Sequence, residues 1–308
     1  MLKINTAIIG LGNIGLNYDL HEKSILTHSK SIKKNSRLKF AYGVDSSIKQ
    51  RLIFEKKYLV KSFSKIKKEK FIKNISFFVI STPNKTHLDF IKKVSEFKKV
   101  KYILLEKPGG LNLSDHKKIK QICKKKNIKL YINYHRLYDK NYFKIERLLL
   151  SIKKFTGVAS YSRGLLNNCS HILSFLNCLN LKKINIKILN KSKNPDFLIK
   201  FNKGQIFFFN NPRKNISNNE FEIIGDNLKI KSDDQMNKFE IFHIEKDKYI
   251  KNSKVFSPKK KIIYLDKNNS QKVVLENIFN SLSRKNISKI TEISYDTFKI
   301  IDKIKSMI

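Results

Sequence analysis

The sequence predicts an α/β protein, in which a doubly wound parallel sheet is followed by an α+β domain with a large, mostly antiparallel sheet. Up to about residue 135, short apolar runs alternate with segments of helical spacing, and the links between them are short. After about residue 155, segments that alternate apolar and polar residues, separated by Asn and Gly, replace this pattern. Such segments are typical of antiparallel strands. We expect two domains, at residues 1–125 and 126–308.

The individual elements follow from apolar periodicity and from the turn residues that flank each run. In the N-terminal part we expect strands at 3–9, 38–44, 75–80, 102–105 and 130–133, and helices at 24–33, 47–58, from the turn after 84 to about 97, and at 112–125. In the C-terminal part we expect strands at 184–189, 197–201, 205–209, 221–224, 228–230 and 261–265, with helices at about 271–283 and 292–306.

Length and composition exclude several classes of protein. The chain has 308 residues, of which 41% are hydrophobic and 11% aromatic, so it can bury the cores of two domains. No run of about eighteen apolar residues occurs, and no membrane span is expected. Cys123, Cys169 and Cys178 lack metal-ligand spacing, so no metal site is predicted. The odd cysteine count and a start without signal-peptide layout favour the cytoplasm.

The formal net charge of +40 does not predict a nucleic-acid-binding face. The positive residues are overwhelmingly Lys and are spread along the whole chain, whereas readers of bases and phosphates favour Arg for its bidentate fork. Lys, Asn and Ile, which are all abundant here, have codons rich in A and T, so genomic composition is a sufficient cause. We therefore expect no specific nucleic-acid partner.

A glycine motif follows the first predicted strand and opens a helix. It reads Gly10-Leu11-Gly12-Asn13-Ile14-Gly15, which in this context is typical of a dinucleotide-binding Rossmann domain. We expect Gly10 to permit a tight turn, Gly12 to let the backbone approach a pyrophosphate, and Gly15 to allow close packing of helix and strand.

The expected ribose-binding residue is Asp45, which ends the second predicted strand. Its carboxylate can accept hydrogen bonds from both ribose hydroxyls of NAD and would repel a 2′-phosphate, so NAD is favoured over NADP. Ser46, Ser47 and Lys49 lie close by and leave NADP possible. Asp45 follows Gly15 by 30 positions, against about 20 in the usual fingerprint. We expect the insertion to form a loop before the helix at 24–33.

The predicted strand at 102–105 ends in a charged pair, Glu106-Lys107, followed by Pro108-Gly109-Gly110. In open α/β sheets, ligands bind at the carboxyl ends of the strands, so the pair is a candidate for a functional site. The alternative is the solvated end of a strand followed by a turn.

Four motifs in order resemble those of the glucose-fructose oxidoreductase / inositol dehydrogenase (Gfo/Idh/MocA) family. They are GLGNIG at 10–15, STPNKTH at 81–87, EKP at 106–108 and NNCSHIL at 167–173. The resemblance extends nearly end to end and includes FEIIGDNLKIK at 221–231. It is specific for the family and unspecific for the substrate, and it implies an NAD(P)-dependent dehydrogenase that acts on CH–OH groups.

The resemblance also implies the roles of the catalytic residues. The lysine of the EKP triplet, here Lys107, lies beneath the nicotinamide in this family and points at the substrate hydroxyl, and the Lys–Pro bond is frequently cis. His171 matches the catalytic histidine and is expected to be the general acid/base. Lys107 would stabilise the developing alkoxide. His21, His28, His116 and His243 carry no separate signal.

Two sets of site residues follow from the resemblance. The implied cofactor-binding residues are Gly10, Gly12, Asn13, Ile14, Gly15, Asp45, Ser81, Thr82, Pro83, Asn84, His87, Glu106 and Lys107. The implied substrate-binding residues are Lys107, Asn133, Arg136, Asn167 and His171.

Two segments favour a particular substrate class. Asn167 stands where many members have Asp, and a similar Asn-x-x-x-His arrangement occurs in members that act on nucleotide-linked amino sugars. Asn133-Tyr134-His135-Arg136 resembles the NY-x-R segment of those members, and Arg136 could hold an anionic group or form a structural ion pair. The expected substrate is therefore a nucleotide-linked or acidic sugar of surface-polysaccharide synthesis.

Other functions stay open. The chain could be an inositol or free-sugar dehydrogenase, or a non-catalytic NAD-binding regulator of the same fold. A regulator would be expected to have lost the lysine or the histidine, and both Lys107 and His171 are present. A homodimer or homotetramer is expected, because the antiparallel sheet has one face that would otherwise be open.

Overall fold

The chain forms two compact units in a computed structural model that describes residues 3–67, 74–180, 185–213, 216–279 and 284–308. One unit comprises the chain up to Tyr138 together with Lys267–Tyr295, and the other comprises Asp139–Asp266 with Asp296–Ile308. The predicted domains, 1–125 and 126–308, stay a prediction. The parallel sheet itself extends past residue 125, because its last strand begins at Lys129.

The first unit contains a six-stranded sheet in which every pair of neighbours is parallel. Its strands are β1 (Ile4–Ile9), β2 (Leu38–Val44), β3 (Ser62–Phe63), β4 (Phe77–Ile80), β5 (Tyr102–Leu105) and β6 (Lys129–Ile132). Their spatial order is β3-β2-β1-β4-β5-β6, which is the Rossmann order. The four residues of β4 are all buried, as expected for a strand covered on both faces.

The helices of this unit are α1 (His28–Lys34), α2 (Ile48–Tyr58), α3 (His87–Val94), α4 (Leu113–Lys125) and α7 (Ser270–Phe279), and α8 (Arg284–Lys305) is divided between the two units. Right-handed crossovers place the helices before β4 and those after it on opposite faces of the sheet. In agreement, α3 packs on α4, and α1 packs on α7. Ser47 and Asn112 cap α2 and α4, one residue before each helix begins.

The second unit contains an eight-stranded sheet. Its strands are β7 (Phe155–Tyr161), β8 (Asn185–Ile188), β9 (Phe197–Phe201), β10 (Gly204–Asn210), β11 (Asn219–Gly225), β12 (Leu228–Asp233), β13 (Lys238–Lys246) and β14 (Lys254–Tyr264), in the order β14-β13-β12-β11-β7-β10-β9-β8. All pairs are antiparallel except β7 with β10. The predicted fold class, a parallel Rossmann sheet plus a mostly antiparallel sheet, is therefore confirmed.

The core of the second unit lies on one face of this sheet. The helices α5 (Lys140–Ser151) and α6 (Ser170–Phe175) belong to this unit. Phe175 of α6 stacks on Phe239 of β13 with ring centroids 5.1 Å apart, and it also contacts Phe221 of β11. Aromatic contacts thus fix the helix that carries the NNCSHIL motif against the sheet.

Five of the described helices and strands lie outside the predicted ranges: α5, α6, β3, β7 and β13. The strand β7 is central, since it lies between β11 and β10. Buried and more exposed residues alternate along β7, but two of the buried residues are Gly157 and Ala159. The alternation of apolar and polar residues in the sequence is therefore weak. Gly157 is required there, because a Cβ would lie 2.7 Å from the backbone oxygen of Glu222. Residue 184 of the predicted strand at 184–189 and residues 280–283 of the predicted helix at about 271–283 fall outside the described residues.

The insertion before α1 is fixed by a buried acid. Asp19 is fully buried and accepts hydrogen bonds from the backbone N–H groups of Leu26 and Thr27, at 2.7 and 2.9 Å, and from the Thr27 hydroxyl at 2.7 Å. Thr27 in turn caps α1. The helix therefore begins at His28, four residues later than predicted. None of the described helices combines the length and the apolar character that a membrane crossing requires.

We predict that Asp19→Ala destabilises the protein, because it leaves three buried donors without their acceptor. The free energy of unfolding should fall by about 3 kcal/mol, the scale for unpaired buried polar groups. Urea unfolding measures the change. Glu22→Ala is the matched control, since Glu22 lies in the same loop with an exposed side chain. An equal effect of the two substitutions would contradict the assigned role of Asp19.

Candidate active site

The glycine turn after β1 is shaped by two close backbone contacts. Gly10 has a φ of +95°, and a Cβ there would lie 2.7 Å from the carbonyl carbon of Ser81. A Cβ on Gly15 would lie 2.2 Å from the Gly10 oxygen. At Gly12, in contrast, no described atom lies within 4 Å of a Cβ position. Gly10 and Gly15 thus fix the turn, and Gly12 borders open space that a ligand could fill.

The helix that the glycine motif opens is shorter than a Rossmann fingerprint predicts. A single π-helical turn, Asn13–Asn17, replaces the expected helix, with bonds from Leu16 N to Gly12 O and from Tyr18 N to Asn13 O. The α-helix of this crossover begins only at His28. The first N–H groups of a helical turn have no partner inside the turn, which makes them available to an anion. The turn retains this property although the long helix is displaced.

A cavity of about 670 Å³ adjoins the glycine turn at the carboxyl edge of the parallel sheet. Its lining includes six of the predicted cofactor-binding residues: Gly10, Gly12, Asp45, Ser81, Thr82 and Pro83. The Ser81 hydroxyl donates to the Gly10 oxygen at 2.7 Å, so the STPNKTH segment and the glycine turn are held together. The volume lies in the range of small-molecule and cofactor sites. The open space over Gly12 and this lining fit a dinucleotide.

Asp45 lies directly after β2, as predicted. One carboxylate oxygen accepts a bond from Leu11 N at 2.7 Å and the other accepts one from Ser47 N at 2.8 Å. Asp45 therefore also ties the glycine turn to the start of α2. Positive charge is present close by: Arg51 donates to the Asp45 and Ser46 carbonyls, and Lys65 lines the same cavity.

The loop after β4 is supported from beneath by a histidine. His87 is fully buried, and its Nε2 lies 2.8 Å from the Thr82 carbonyl oxygen. Burial lowers the pKa of His87, although the bond to Thr82 and the charge of Glu106 oppose this effect. Thr86 donates to the hydroxyl of Thr82 at 2.8 Å. Asn84 begins the short 3₁₀ turn that leads into α3. The contacts of Thr86 and His87 with Thr82 therefore hold this loop in place.

The EKP triplet follows β5 directly, at the same edge of the sheet. The Lys107–Pro108 bond is cis, as the resemblance implied, and Gly109 and Gly110 have φ values of +90° and +136°. The hydroxyl of Ser294 donates to the Pro108 oxygen at 2.7 Å. The charged pair is thus part of a well-defined turn rather than a frayed strand end.

Glu106 lies at the centre of a polar network. Its side chain is 13% exposed, and its Oε1 lies 2.7 Å from Nε2 of His28 and 2.5 Å from Nδ2 of Asn133. Burial by itself would raise the pKa of Glu106, but the hydrogen bond and charge of His28, the bond from Asn133 and the charge of Lys107 outweigh it and hold the pKa below its ordinary value. Glu106 is therefore a carboxylate at neutral pH.

Lys107 has a pKa closer to neutrality than an ordinary lysine. Burial lowers its pKa to about 8; the Glu106 carboxylate opposes this effect, and the charge of Arg136 adds to it. A cation whose pKa lies near the working pH can both stabilise negative charge and exchange a proton.

The segment after β6 brings further groups to this cluster. Asn133 is buried and donates to Glu106 and, at 3.1 Å, to Gln271 of α7. Burial and the charges of Arg136, Lys107 and His28 lower the pKa of His135 well below its ordinary value. His28 and His135 were not among the predicted site residues. His28 lies in α1, far from Glu106 in sequence, and His135 lies inside the Asn133–Arg136 segment. Neither position carries a sequence pattern that predicts a site residue.

The remaining predicted residues lie in the second unit. A π-helical turn, Leu165–Cys169, precedes α6, so Asn167 and His171 lie on either side of the junction. The Asn167 amide donates to the Arg163 oxygen at 3.0 Å. Asn168 anchors the turn by donating to Ser162 Oγ and to Asn218 O, both at 3.1 Å. The turn is therefore rigidly attached to the sheet. Among the described residues, no group of side chains could hold a metal ion.

Comparison with known proteins agrees with this geometry. The model of the GFO_IDH_MocA family, an oxidoreductase family with an NAD-binding Rossmann fold, matches residues 4–134. No curated protein matches the sequence. The match agrees with the cavity and the glycine turn, and the prediction of NAD(P) binding is confirmed.

Solved structures share the whole fold. UDP-N-acetylglucosamine 3-dehydrogenase GnnA from Acidithiobacillus ferrooxidans is 12% identical with a TM-score of 0.75, and the similarity covers 100% of this chain and 98% of that chain. The 3-ketoreductase KijD10 from Actinomadura kijaniata, in complex with NADP and TDP-benzene, is 10% identical with a TM-score of 0.73, covering 99% and 97%. Biliverdin reductase from Synechocystis sp. PCC 6803, in complex with biliverdin and NADP+, is 13% identical with a TM-score of 0.71, covering 98% of both chains. Identities this low show a common fold alone.

We predict that Asp45 selects NAD over NADP, because its carboxylate can accept the ribose hydroxyls and repels a 2′-phosphate. Asp45→Asn keeps an acceptor for Leu11 N but removes the charge. Calorimetric titration should show weaker NAD binding and a narrower gap to NADP. Asp89→Asn, on the exposed surface of α3, is the control. Tighter binding of NADP than of NAD by the unmodified protein would contradict the prediction.

Proposed function

We propose that the chain is an NAD(P)-dependent dehydrogenase that acts on a secondary hydroxyl of a sugar, since the model of the Gfo/Idh/MocA oxidoreductase family matches residues 4–134. The proposed substrate is a nucleotide-linked or acidic sugar of surface-polysaccharide synthesis. A cytoplasmic location is part of the proposal, because three free thiols suit a reducing compartment.

The observation that carries the proposal is the state of Lys107. It lies at the carboxyl end of β5, at the sheet edge where the glycine turn and the cavity lie, and its pKa is lowered to about 8. At neutral pH most Lys107 side chains are therefore ammonium ions. A surface lysine would be fully protonated and well hydrated, and it would stabilise an alkoxide far less.

Oxidation of a secondary alcohol removes a proton from oxygen and a hydride from carbon. The bound nicotinamide supplies the acceptor for the hydride. We assign to Lys107 the stabilisation of the negative charge that develops on the substrate oxygen. We assign to His171 the removal of the hydroxyl proton, since imidazole is the usual base near neutral pH.

Asn167 sets this chain apart from members with Asp at that position. An amide can position a substrate hydroxyl or His171 by hydrogen bonds, but it cannot share a proton or stabilise an imidazolium by charge. We propose that Asn167 has a positioning role. Asn133 is proposed to act through Glu106, to which it donates, and Arg136 is proposed to contact an anionic group of the substrate.

The substrate class is supported by two of the proteins that share the fold. GnnA is a UDP-N-acetylglucosamine 3-dehydrogenase, and KijD10 is a 3-ketoreductase crystallised with a TDP derivative. Both descriptions agree with the Asn-x-x-x-His and NY-x-R patterns of this sequence. The biliverdin reductase shows that the same fold also serves a substrate that is not a sugar.

A substrate screen tests the proposal. The purified protein is incubated with NAD or NADP and with nucleotide sugars, uronic acids, inositols or free aldoses, and formation of the reduced nicotinamide is measured. Turnover of a nucleotide-linked or acidic sugar is expected. Turnover of inositol or free sugars alone would favour the alternative dehydrogenase, and NAD binding without turnover of any of them would favour a regulator.

We predict that Lys107→Ala and His171→Ala each lower kcat by about a hundredfold or more, the usual scale for such groups. Because the Lys107 ammonium is required and its pKa is about 8, kcat of the unmodified protein should fall as the pH rises through about 8. NAD affinity should scarcely change in either variant, because neither side chain is expected to contact the pyrophosphate or the adenosine. Lys101→Ala, an exposed lysine just before β5, is the matched control. Undiminished turnover of the His171 variant would end the mechanism.

The outer face of the antiparallel sheet supports a homodimer or homotetramer. Val158, Phe209 and Ile224 are 49%, 44% and 40% exposed on this face. Val158 pairs with Phe207 on one side and with Glu222 on the other, so its position is central. We propose that a second copy of the chain covers this face, since apolar groups of this kind are otherwise in water.

Val158→Glu should disrupt the proposed assembly, because it places a charge in the middle of the face. We expect light scattering after gel filtration to show a fall in mass to that of a monomer. Leu52→Glu, at a position on α2 that is 59% exposed, is the control and should leave the mass unchanged. A protein that is monomeric before substitution, or a mass that Val158→Glu does not alter, would contradict the proposed interface.

A further inference from the structure

We propose that His28 is a positioning residue of the active site, whose Nε2–H donates to Glu106 Oε1 and thereby keeps this carboxylate ionised beside Lys107. His28 is fully buried, and the two atoms lie 2.7 Å apart. The kinetic consequence of this inference rests on the proposed function, whereas the contact and its effect on Lys107 do not.

The hydrogen-bonding pattern assigns the tautomer of His28. Nδ1 of His28 is buried and has no partner among the described residues, whereas Nε2 faces the Glu106 carboxylate. A carboxylate only accepts hydrogen bonds, so the ring nitrogen that faces it must carry a proton. A buried N–H without an acceptor is destabilising, so the proton is on Nε2. Glu106 Oε1 thus receives two donors, since Asn133 Nδ2 lies 2.5 Å from the same atom.

His28 is held in place by the segment that is inserted between the glycine turn and β2. It is the first residue of α1, directly after Thr27, which Asp19 binds by two hydrogen bonds. One turn further along α1, the hydroxyl of Ser31 donates to the Gln271 oxygen of α7 at 2.7 Å. Gln271 Oε1 in turn accepts the second bond of Asn133. The imidazole therefore has little freedom to leave Glu106.

The contact matters because Glu106 acts on Lys107. Burial by itself would raise the pKa of Glu106, and the bond from His28 is the largest influence that opposes burial. The Glu106 carboxylate is in turn the group that raises the pKa of Lys107, against burial and the charge of Arg136. Without its donor, Glu106 would lose the largest influence that holds its pKa down, and it would be stabilised less as a carboxylate. Lys107 would then lose part of the attraction that retains its proton.

Several other titratable groups act on this cluster from neighbouring elements. They are His87 of α3, and His135, Arg136 and Tyr138 after β6. His28→Leu leaves these residues in place but removes one of the charges that lower the pKa of His135. Glu106→Gln, which leaves His28 in place, therefore serves to attribute a change in Lys107 to the His28–Glu106 contact.

The test is a direct measurement of the pKa of Lys107 that needs no substrate. Competitive labelling with acetic anhydride as a function of pH, followed by peptide mass spectrometry, gives this pKa in each variant. His28→Leu should lower it by about one unit, the scale of the loss of one nearby opposite charge. His28→Gln keeps an amide donor for Glu106 and should leave it near its original value. Glu106→Gln should reproduce the effect of His28→Leu.

His116→Gln is the matched control, because His116 is also fully buried in this unit but its Nδ1 lies 3.0 Å from the Gly109 oxygen. It should leave the Lys107 pKa unchanged. An unchanged or raised pKa of Lys107 in His28→Leu would overturn the proposal. A raised value would mean that His28 acts as a competing cation.

A second measurement uses the unmodified protein, so it tests the proposal even if His28→Leu does not fold. Long-range ¹H–¹⁵N spectra of the histidine rings should show a proton on Nε2 of His28 at neutral pH, and a ring protonated on Nδ1 alone would overturn the proposal. If a substrate is found, the fall of kcat with rising pH should move to lower pH in His28→Leu, with NAD affinity unchanged. If none is found, the labelling and the spectra still decide the role of His28.

Discussion

The site depends on one constraint: a carboxylate follows the apolar strand β5 and is largely withdrawn from water. An ionised group in such a place must have donors and a counter-charge, or it takes up a proton. Glu106 receives them from three parts of the chain: His28 of α1, Asn133 after β6, and Lys107 next to it. The arrangement of these segments around the end of β5 thus follows from the requirement to satisfy one carboxylate.

The same constraint explains why the chain can tolerate an unusual crossover between β1 and β2. The fingerprint helix is reduced to a π-helical turn, and the segment that follows is longer than usual. A long loop next to a ligand site would normally be free to move. Here Asp19 is buried within it and fixes the start of α1, which in turn supplies His28 to Glu106. The insertion is therefore part of the architecture of the site.

Charge acts at two very different scales in this protein. The excess of lysine gives the whole chain a net charge of +40, but charges in water are screened and each has little effect on its neighbours. Lys107 is different because burial lowers its pKa to about 8, with Glu106 and Arg136 as opposing influences. One lysine among many thus becomes chemically distinct through its surroundings rather than through its residue type.

The sequence by itself determined the fold class, the order of the N-terminal elements and the positions of the main motifs. The strands at 38–44 and 102–105 were predicted to the residue, because both are mainly apolar and each ends directly before an acidic residue. The resemblance to the family whose model matches residues 4–134, and the NAD(P) cofactor, followed from motifs that are local in sequence. The roles of the individual site residues stay predictions.

Only the tertiary structure decided which side chains surround Glu106. His28 is 78 positions away from Glu106, and Gln271 is 138 positions away from Asn133, so no local pattern connects them. The sequence did not predict the strand β7 either. Its inward positions include Gly157 and Ala159, because the neighbouring strands leave little room there, and such small residues give a weak apolar pattern. Local periodicity records which residues prefer burial. The partners that a buried charge finds depend on the topology that brings distant segments to the same edge of the sheet.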